Sequence, residues 1–238
     1  DGTTSRGLGD VYKRQDLMRA ALKKMGAPED LVIGIETPSL ETTNELMRQC
    51  DLVLATGGGA MVHAAYSSGS PALGVGVGNA VITVDDTADL DAAAEKIRLS
   101  KTLDLAASCS SDNSVVLLDG IYEPMLERLK AQGGYLCNEE EKAALRNTLW
   151  DEELHLNTAI VAQPPEKIAQ MAGLSIPEET KFFIVPEDGW GPEHPFSGEK
   201  LSVIMALYRA RDIDHAIELT QNIQAYQGQG HSCGIYSS

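Results

Sequence analysis

The sequence predicts an α/β fold built on a parallel sheet, and three observations carry that expectation. Short apolar runs of strand length alternate with segments of helical periodicity. Glycines mark the junctions, at Gly26, Gly57 to Gly59 and Gly133-Gly134. Over 238 residues, 43% are hydrophobic and 23% charged, the composition of a globular chain of one or two domains.

The elements follow in order. Leu17, Ala21, Leu22 and Met25 recur at helical spacing from Asp16, and Gly26 is a natural stop. Leu31 to Ile35 is an apolar run of strand length. Thr42-Thr43-Asn44-Glu45 offers a capping box for a helix through Leu46 and Met47. Leu52 to Ala55 predicts a second buried strand, followed by Thr56-Gly57-Gly58-Gly59 and a helix over Ala60 to Ser68. Ala72 to Val77 and Val81 to Val84 predict two more strands, and Ala88 to Leu103 a helix. Beyond Cys109 the pattern continues with a strand over Val115 to Leu118 and helices over Glu123 to Ala131 and Asn138 to Trp150. Strands at Ile160 to Ala162 and Phe182 to Val185 flank a helix over Pro165 to Ala172. Trp190 to Pro195 reads as a loop, Ser202 to Leu207 as a strand, Ile213 to Ala225 as a helix, and Gly234 to Tyr236 as the beginning of a strand. A boundary is expected near residues 103 to 109.

Both ends invite comment. Residues 1–15 have no periodicity, and Asp10 to Gln15 looks like a translated sequencing adapter rather than native chain. The chain stops at Ser238 just after a strand begins, so the expectation is a fragment truncated at both ends.

Charge excludes several partners. Nineteen basic against 35 acidic residues give a net charge of −16, which disfavours nucleic acid and anionic lipid surfaces. No apolar stretch approaches the roughly 20 residues of a membrane span. Cys50, Cys109, Cys137 and Cys233 are scattered without CxxC spacing, so neither a zinc site nor a disulfide framework is expected, and a cytoplasmic setting is.

Two segments carry chemistry. Thr56-Gly57-Gly58-Gly59 lets backbone approach a ligand at a helix N-terminus, suited to an anion, although a merely tight connection explains it equally. The alternating Gly74, Gly76 and Gly78 point either to a closely passing ligand or backbone or to tight helix packing. Cys109 sits in a loop of small polar residues, a setting for a reactive thiolate, whereas Cys50, Cys137 and Cys233 read as core residues. None of the five histidines has an obvious partner by local spacing. Glu199, after the Gly/Pro loop, could meet a ribose hydroxyl or be a solvated charge.

From Asp16 onward the chain resembles the CoA-acylating branch of the aldehyde dehydrogenase superfamily. The carriers are Leu40 to Met47, Ala55 to Gly58, Ala64 to Gly69, Pro71 to Asn79, Ser100-Lys101-Thr102, Cys109 and Pro195 to Ser202. The loop from Ala107 to Asn113 looks most like acylating sulfoacetaldehyde dehydrogenases. The resemblance implies a Rossmann-like parallel sheet plus a second α/β catalytic domain. It divides the chain into a non-native 1–15, the last part of an NAD(P)-binding domain at 16–104, and an incomplete catalytic domain at 105–238. It implies Cys109 as nucleophile, Thr56, Gly57 and Gly58 near the cofactor pyrophosphate, and Glu199 on the nicotinamide ribose. NAD or NADP would be the cofactor and coenzyme A the co-substrate, with no metal. The aldehyde would be sulfoacetaldehyde, with acetaldehyde or propanal as runners-up, in a homo-oligomeric parent protein. An inert α/β remnant or binding module is the alternative.

Hydrolytic members of the superfamily carry a glutamate base 34 residues before the cysteine, where this chain has Val75. Valine cannot activate water, so a thioester on Cys109 should await a thiol.

Overall fold

A computed structural model describes residues 14–35 and 37–238. Asp10 to Lys13 of the adapter-like segment therefore lie outside the described residues. The chain divides into two compact units, Asp1–Leu54 with His63–Leu73, and Ala55–Val62 with Gly74–Ser238.

In the first unit, α1 covers residues 14–24 and α2 spans Leu40–Gln49. Ser39 caps α2, its Oγ accepting the Thr42 N–H at 3.0 Å. The expected capping box at Thr42 and Glu45 instead lies inside the helix, where Glu45 accepts from Arg48 and Gln49, both at 2.6 Å. The strand expected over Leu31 to Ile35 does not form. Leu31 ends a 3-10 turn, Val32 is extended, and Leu31 and Ile33 are 65% and 77% exposed. An apolar run becomes a strand only where a neighbouring strand takes up its backbone groups, and this one joins neither sheet. Further on, β1 (Val53–Thr56) leads to α3 (Gly59–Tyr66), and β2 (Ala72–Val75) joins β1 in a two-stranded sheet.

The second unit holds a six-stranded sheet of order β5-β6-β7-β4-β3-β8. Its strands are β3 (Ala80–Val84), β4 (Asp112–Leu118), β5 (Gly134–Leu136), β6 (Phe182–Pro186), β7 (Ile204–Ala210) and β8 (Cys233–Tyr236), and every pairing is parallel. Helices α4 (Leu90–Thr102), α5 (Tyr122–Ala131), α6 (Glu139–Leu149), α7 (Pro165–Ala172) and α8 (Ile213–Tyr226) connect them. Val115 to Leu117 and Ile204 to Tyr208 are almost wholly buried, as expected of central parallel strands covered on both faces. Side chains begin the helices: Asp89 accepts from Asp91 and Ala92 ahead of α4, Asn138 and Glu141 form a capping box ahead of α6, and Asp212 accepts from His215 ahead of α8.

Two expectations change here. Ile160 to Ala162 is no strand: Thr158–Ile160 is a 3-10 turn and Ala162 has φ +54°, which ends any extended run. Gly134 does more than punctuate, since it opens β5 against Phe182. Within the second unit, β3, α4 and β4 lie together. No described helix is long and apolar enough to cross a membrane.

Candidate functional site

Parallel pairing gathers the site. Because β7, β4, β3 and β8 are successive neighbours running the same way, the four loops that enter them meet at one end of the sheet. Those loops end at Asn79, Ser111, Val203 and Ser232, and they carry Gly78, Cys109, Glu199 and His231. The register confirms the levels: Ala80 lies opposite Asp112, Val81 opposite Cys233, and Ser114 opposite Ala206.

Gly78 is the point of closest approach. A Cβ there would lie 2.5 Å from the Cys109 carbonyl oxygen, 2.7 Å from Cys109 Cβ and 2.8 Å from Glu199 Oε1. Its N–H donates to Glu199 Oε1 at 3.1 Å. One missing side chain thus brings Cys109 and Glu199 together, which favours the close-passage reading of the alternating glycines. Gly76 has nothing within 4 Å of such a Cβ, so the reading holds for Gly78 and not for its neighbour.

Cys109 is half-buried in the free thiol form. The segment leading to it bends sharply, with Asp104, Leu105 and Ala106 all at φ between +50° and +58°. Three successive non-glycine residues in that region store strain of about 1 kcal/mol each. Ser108 before the thiol and Ser110 after it share a hydrogen bond at 2.9 Å, and Ser111 N–H donates to Ser108 O at 3.1 Å. The Cys109 N–H has no acceptor among the described residues, so it is open as an oxyanion donor.

A buried amide framework fixes the loop that bears Glu199. Asn79 Nδ2 donates to Ser197 O at 2.7 Å and Gln227 O at 3.0 Å. Asn113 Nδ2 donates to Asn79 Oδ1 at 2.5 Å and Gly198 O at 2.7 Å, while Glu199 N–H donates to Gln227 Oε1 at 2.9 Å. Lys200, fully buried, spends its ammonium on Phe196 O and Gly198 O. Isolated asparagines have no spacing signal, so the bridging done by Asn79 and Asn113 appears only in the fold.

Around these lie ionisable groups in poor solvent. Burial pushes Glu199 up to about 7, against the Gly78 N–H and the nearby Lys200 and Lys101 charges. Burial brings Lys101 down to about 7, opposed by the Asp112 and Glu199 carboxylates. Asp112 is pushed up to about 6, again chiefly by burial. The Glu199 carboxylate is therefore no solvated surface charge.

Thr56, Gly57 and Gly58 form a separate turn between β1 and α3. The Gly57 N–H donates to Val75 O at 3.1 Å, three residues before Gly78, and the Gly58 carbonyl accepts the Met61 and Val62 N–H groups at 2.9 and 3.2 Å. Gly58 and Gly59 face open space where side chains would stand. Val75, at the end of β2, is 43% exposed.

The other cysteines and histidines are placed elsewhere, His231 excepted. Cys137 is buried and its thiol is pushed up to about 12, mainly by burial, as a core residue should be. Cys50 is only partly covered and Cys233 is exposed on edge strand β8, so the expectation of core burial fails for them. His194 binds the buried Glu187 at 2.8 Å, with Lys142 at 3.3 Å on the same oxygen. His155 pairs with Asp151, and His215 accepts the Arg211 N–H. His231 instead follows Gly228, whose absent Cβ would lie 2.5 Å from Asn79 Cβ, and its N–H donates to Gly228 O at 2.9 Å. Only the parallel pairing of β8 with β3 reveals this placement.

Comparison with known proteins agrees with the fold. The model of the aldehyde dehydrogenase family matches residues 15–137. The acylating sulfoacetaldehyde dehydrogenase of Bilophila wadsworthia is 41% identical over 98% of this chain and 51% of its own length. The bifunctional aldehyde-alcohol dehydrogenase AdhE of Escherichia coli is 43% identical over 98% of this chain and 26% of its own length. The crystal structure of an acetylating aldehyde dehydrogenase from Geobacillus thermoglucosidasius superposes with a TM-score of 0.91 at 39% identity, covering 95% of this chain and 50% of that one. The chain thus spans between about a quarter and a half of the relatives it matches. With this family match over more than half its length, and the fold to go with it, the chain belongs to the aldehyde dehydrogenase family.

Proposed function

We propose that the protein containing this chain oxidises an aldehyde to its acyl-CoA with NAD or NADP. The observation that supports this best is the convergence of Cys109, Glu199 and Gly78 at one end of the sheet. Residues 16–104 contribute the glycine turn, and residues 105–238 contribute the nucleophile and the ribose-facing carboxylate.

The residues present suit a dinucleotide. Open space before Gly58 and Gly59 at the α3 N-terminus admits a pyrophosphate. Glu199, anchored through Oε1 on Gly78, keeps Oε2 to accept a ribose hydroxyl. When bound, NAD or NADP supplies the hydride acceptor.

The Cys109 thiolate attacks the aldehyde carbonyl carbon, and its own N–H receives the developing oxyanion. A thiohemiacetal forms on Sγ, and loss of hydride from its carbon leaves a thioester. Val75 offers no carboxylate to activate water, so the acyl group stays on Cys109 until the coenzyme A thiol arrives. Attack by that thiolate on the acyl carbon expels the Cys109 thiolate and completes the turnover. His231 sits on the loop whose Gly228 packs against Asn79, and we assign to it the deprotonation of the incoming thiol, a ring nitrogen accepting the proton.

We infer sulfoacetaldehyde as the aldehyde. Of the Ser108 and Ser110 hydroxyls flanking Cys109, bonded to each other at 2.9 Å, one keeps its proton to donate to a sulfonate two carbons from the carbonyl. The relatives named for sulfoacetaldehyde and for acetylating or aldehyde-alcohol activities are similarly close, so acetaldehyde is the competing reading. Comparing kcat/KM for sulfoacetaldehyde, acetaldehyde and propanal at saturating coenzyme A decides it. Preference for propanal or acetaldehyde sinks the sulfonate assignment and leaves the acylating chemistry standing.

A further inference from the structure

Asn79 stands where the site loops meet, and no step of the mechanism uses it. It follows Gly78 at the entry to β3 and is fully buried. An amide enclosed in this way needs partners at both ends, because an unmet donor or acceptor out of water is costly. Asn79 finds each partner on a different element. Nδ2 donates to Ser197 O at 2.7 Å on the loop before β7, and to Gln227 O at 3.0 Å at the end of α8. Oδ1 accepts from Asn113 Nδ2, on β4 just past Cys109. Two carbonyl oxygens on one side and a donor on the other leave the carboxamide a single orientation.

Both Nδ2 bonds reach groups that the proposed chemistry needs. On one arm, Ser197 leads through Gly198 to Glu199, whose carboxylate accepts the N–H of Gly78, the residue next to Asn79. On the other, Gln227 leads to Gly228, at φ +92°, whose absent Cβ would stand 2.5 Å from Asn79 Cβ. Gly228 O accepts the His231 N–H at 2.9 Å, which closes the turn that carries the imidazole. The Gln227 side chain joins the arms a second time, its Oε1 accepting the Glu199 N–H at 2.9 Å.

We propose that Asn79 is a positioning residue for both halves of the reaction, holding Glu199 in place for the cofactor and His231 in place for the incoming thiol. Fully buried, it touches neither substrate nor cofactor. It sets the two loops against each other, so displacing one amide disturbs cofactor binding and thiol transfer together. The inference rests on the roles of Glu199 and His231 proposed above.

The test uses the full-length enzyme carrying Asn79→Asp, which keeps the shape of the side chain but turns an oxygen toward the Ser197 and Gln227 carbonyls. NADH affinity, read by fluorescence, reports on Glu199. The rate at which coenzyme A discharges acyl-Cys109, read by rapid mixing, reports on His231. Each falls about tenfold. In a Glu199→Gln background, Asn79→Asp adds no further loss of NADH affinity yet still slows discharge, and in a His231→Gln background the reverse holds. A merely structural asparagine would lower Tm, and its losses would add in both backgrounds. Gln227→Ala keeps the main-chain bond to Asn79 and cuts only the Glu199 N–H bond. It lowers NADH affinity several-fold and leaves discharge within about twofold, and it decides the matter should Asn79→Asp fail to fold. Loss in one half-reaction alone from Asn79→Asp, additive losses in the two backgrounds, or equal losses of both from Gln227→Ala overturn the proposal. NADH affinity untouched by Glu199→Gln, or discharge untouched by His231→Gln, overturns instead the role proposed for that residue, and with it the arm that serves it.

Discussion

Replacing Gly78 by alanine should disable the enzyme by displacing the nucleophile. The added Cβ would stand 2.5 Å from the Cys109 carbonyl oxygen and 2.7 Å from its Cβ, where ordinary contact begins at 3.4 Å. Cys109 must therefore retreat by nearly 1 Å, and backbone cannot step aside as the end of a flexible side chain can. Glu199 Oε1, at 2.8 Å, must move as well, and with it the hydrogen bond from the Gly78 N–H. Overpacking of this kind costs about 1–3 kcal/mol of stability, and a displacement of about 1 Å at a reacting atom costs on the order of 100-fold in rate. Steady-state kcat/KM for Gly78→Ala in the full-length enzyme should fall about 100-fold, with its Tm lowered by several degrees. Gly76→Ala is the control, since nothing lies within 4 Å of its Cβ. Should Gly78→Ala retain a third or more of wild-type kcat/KM, or Gly76→Ala lose as much, the packing argument is refuted.

Val75→Glu should divert product from acyl-CoA to free acid, read by chromatography of both; an unchanged ratio in a folded variant would show that water exclusion protects the thioester. His231→Gln should slow the discharge of acyl-Cys109 by coenzyme A about 100-fold while sparing NADH formation in the first turnover, seen by rapid mixing; equal slowing of both phases would refute its assignment. Glu199 titrates at about 7 in the folded protein against an ordinary 4.5, so it favours folding below about pH 4.5 and loses that contribution as pH rises through 7. The Tm advantage of Glu199→Gln over wild type should accordingly grow between pH 5 and 8, and a constant difference would contradict the burial argument. Asp104→Gly should raise stability by about 0.5 kcal/mol by relieving the left-handed backbone at φ +50°, measured by thermal melting.

Much of the fold was legible because its strands are continuous apolar runs and its helices are capped by their own side chains. The strand expected over Phe182 to Val185 forms as Phe182–Pro186, that over Ser202 to Leu207 as Ile204–Ala210, and the helix expected from Asn138 begins behind that residue's own cap. The misreadings came where tertiary context decides. Leu31 to Ile35 has the composition of a strand and joins no sheet, and Ile160 to Ala162 is broken by a left-handed alanine tied to Leu201 O. Gly134 looks like punctuation until Phe182 pairs with it. At the site, Cys109 and Glu199 could be singled out from loop character and family resemblance. Their meeting could not, since it depends on the order β7-β4-β3-β8, which brings together residues far apart along the chain. The part of His231 and the bridging bonds of Asn79 were hidden for the same reason: each owes its place to a neighbouring strand or loop rather than to the residues beside it.

The central claim is that an acyl group resides on Cys109 and leaves with a thiol. Intact-protein mass spectrometry of the full-length enzyme, mixed with sulfoacetaldehyde or acetaldehyde and NAD or NADP but no coenzyme A, tests it most directly. The account predicts one acyl adduct per chain, located at Cys109 by peptide mapping and removed when coenzyme A is added. An adduct on Cys50, Cys137 or Cys233, an adduct that coenzyme A leaves in place, or NADH formation without any adduct would contradict it.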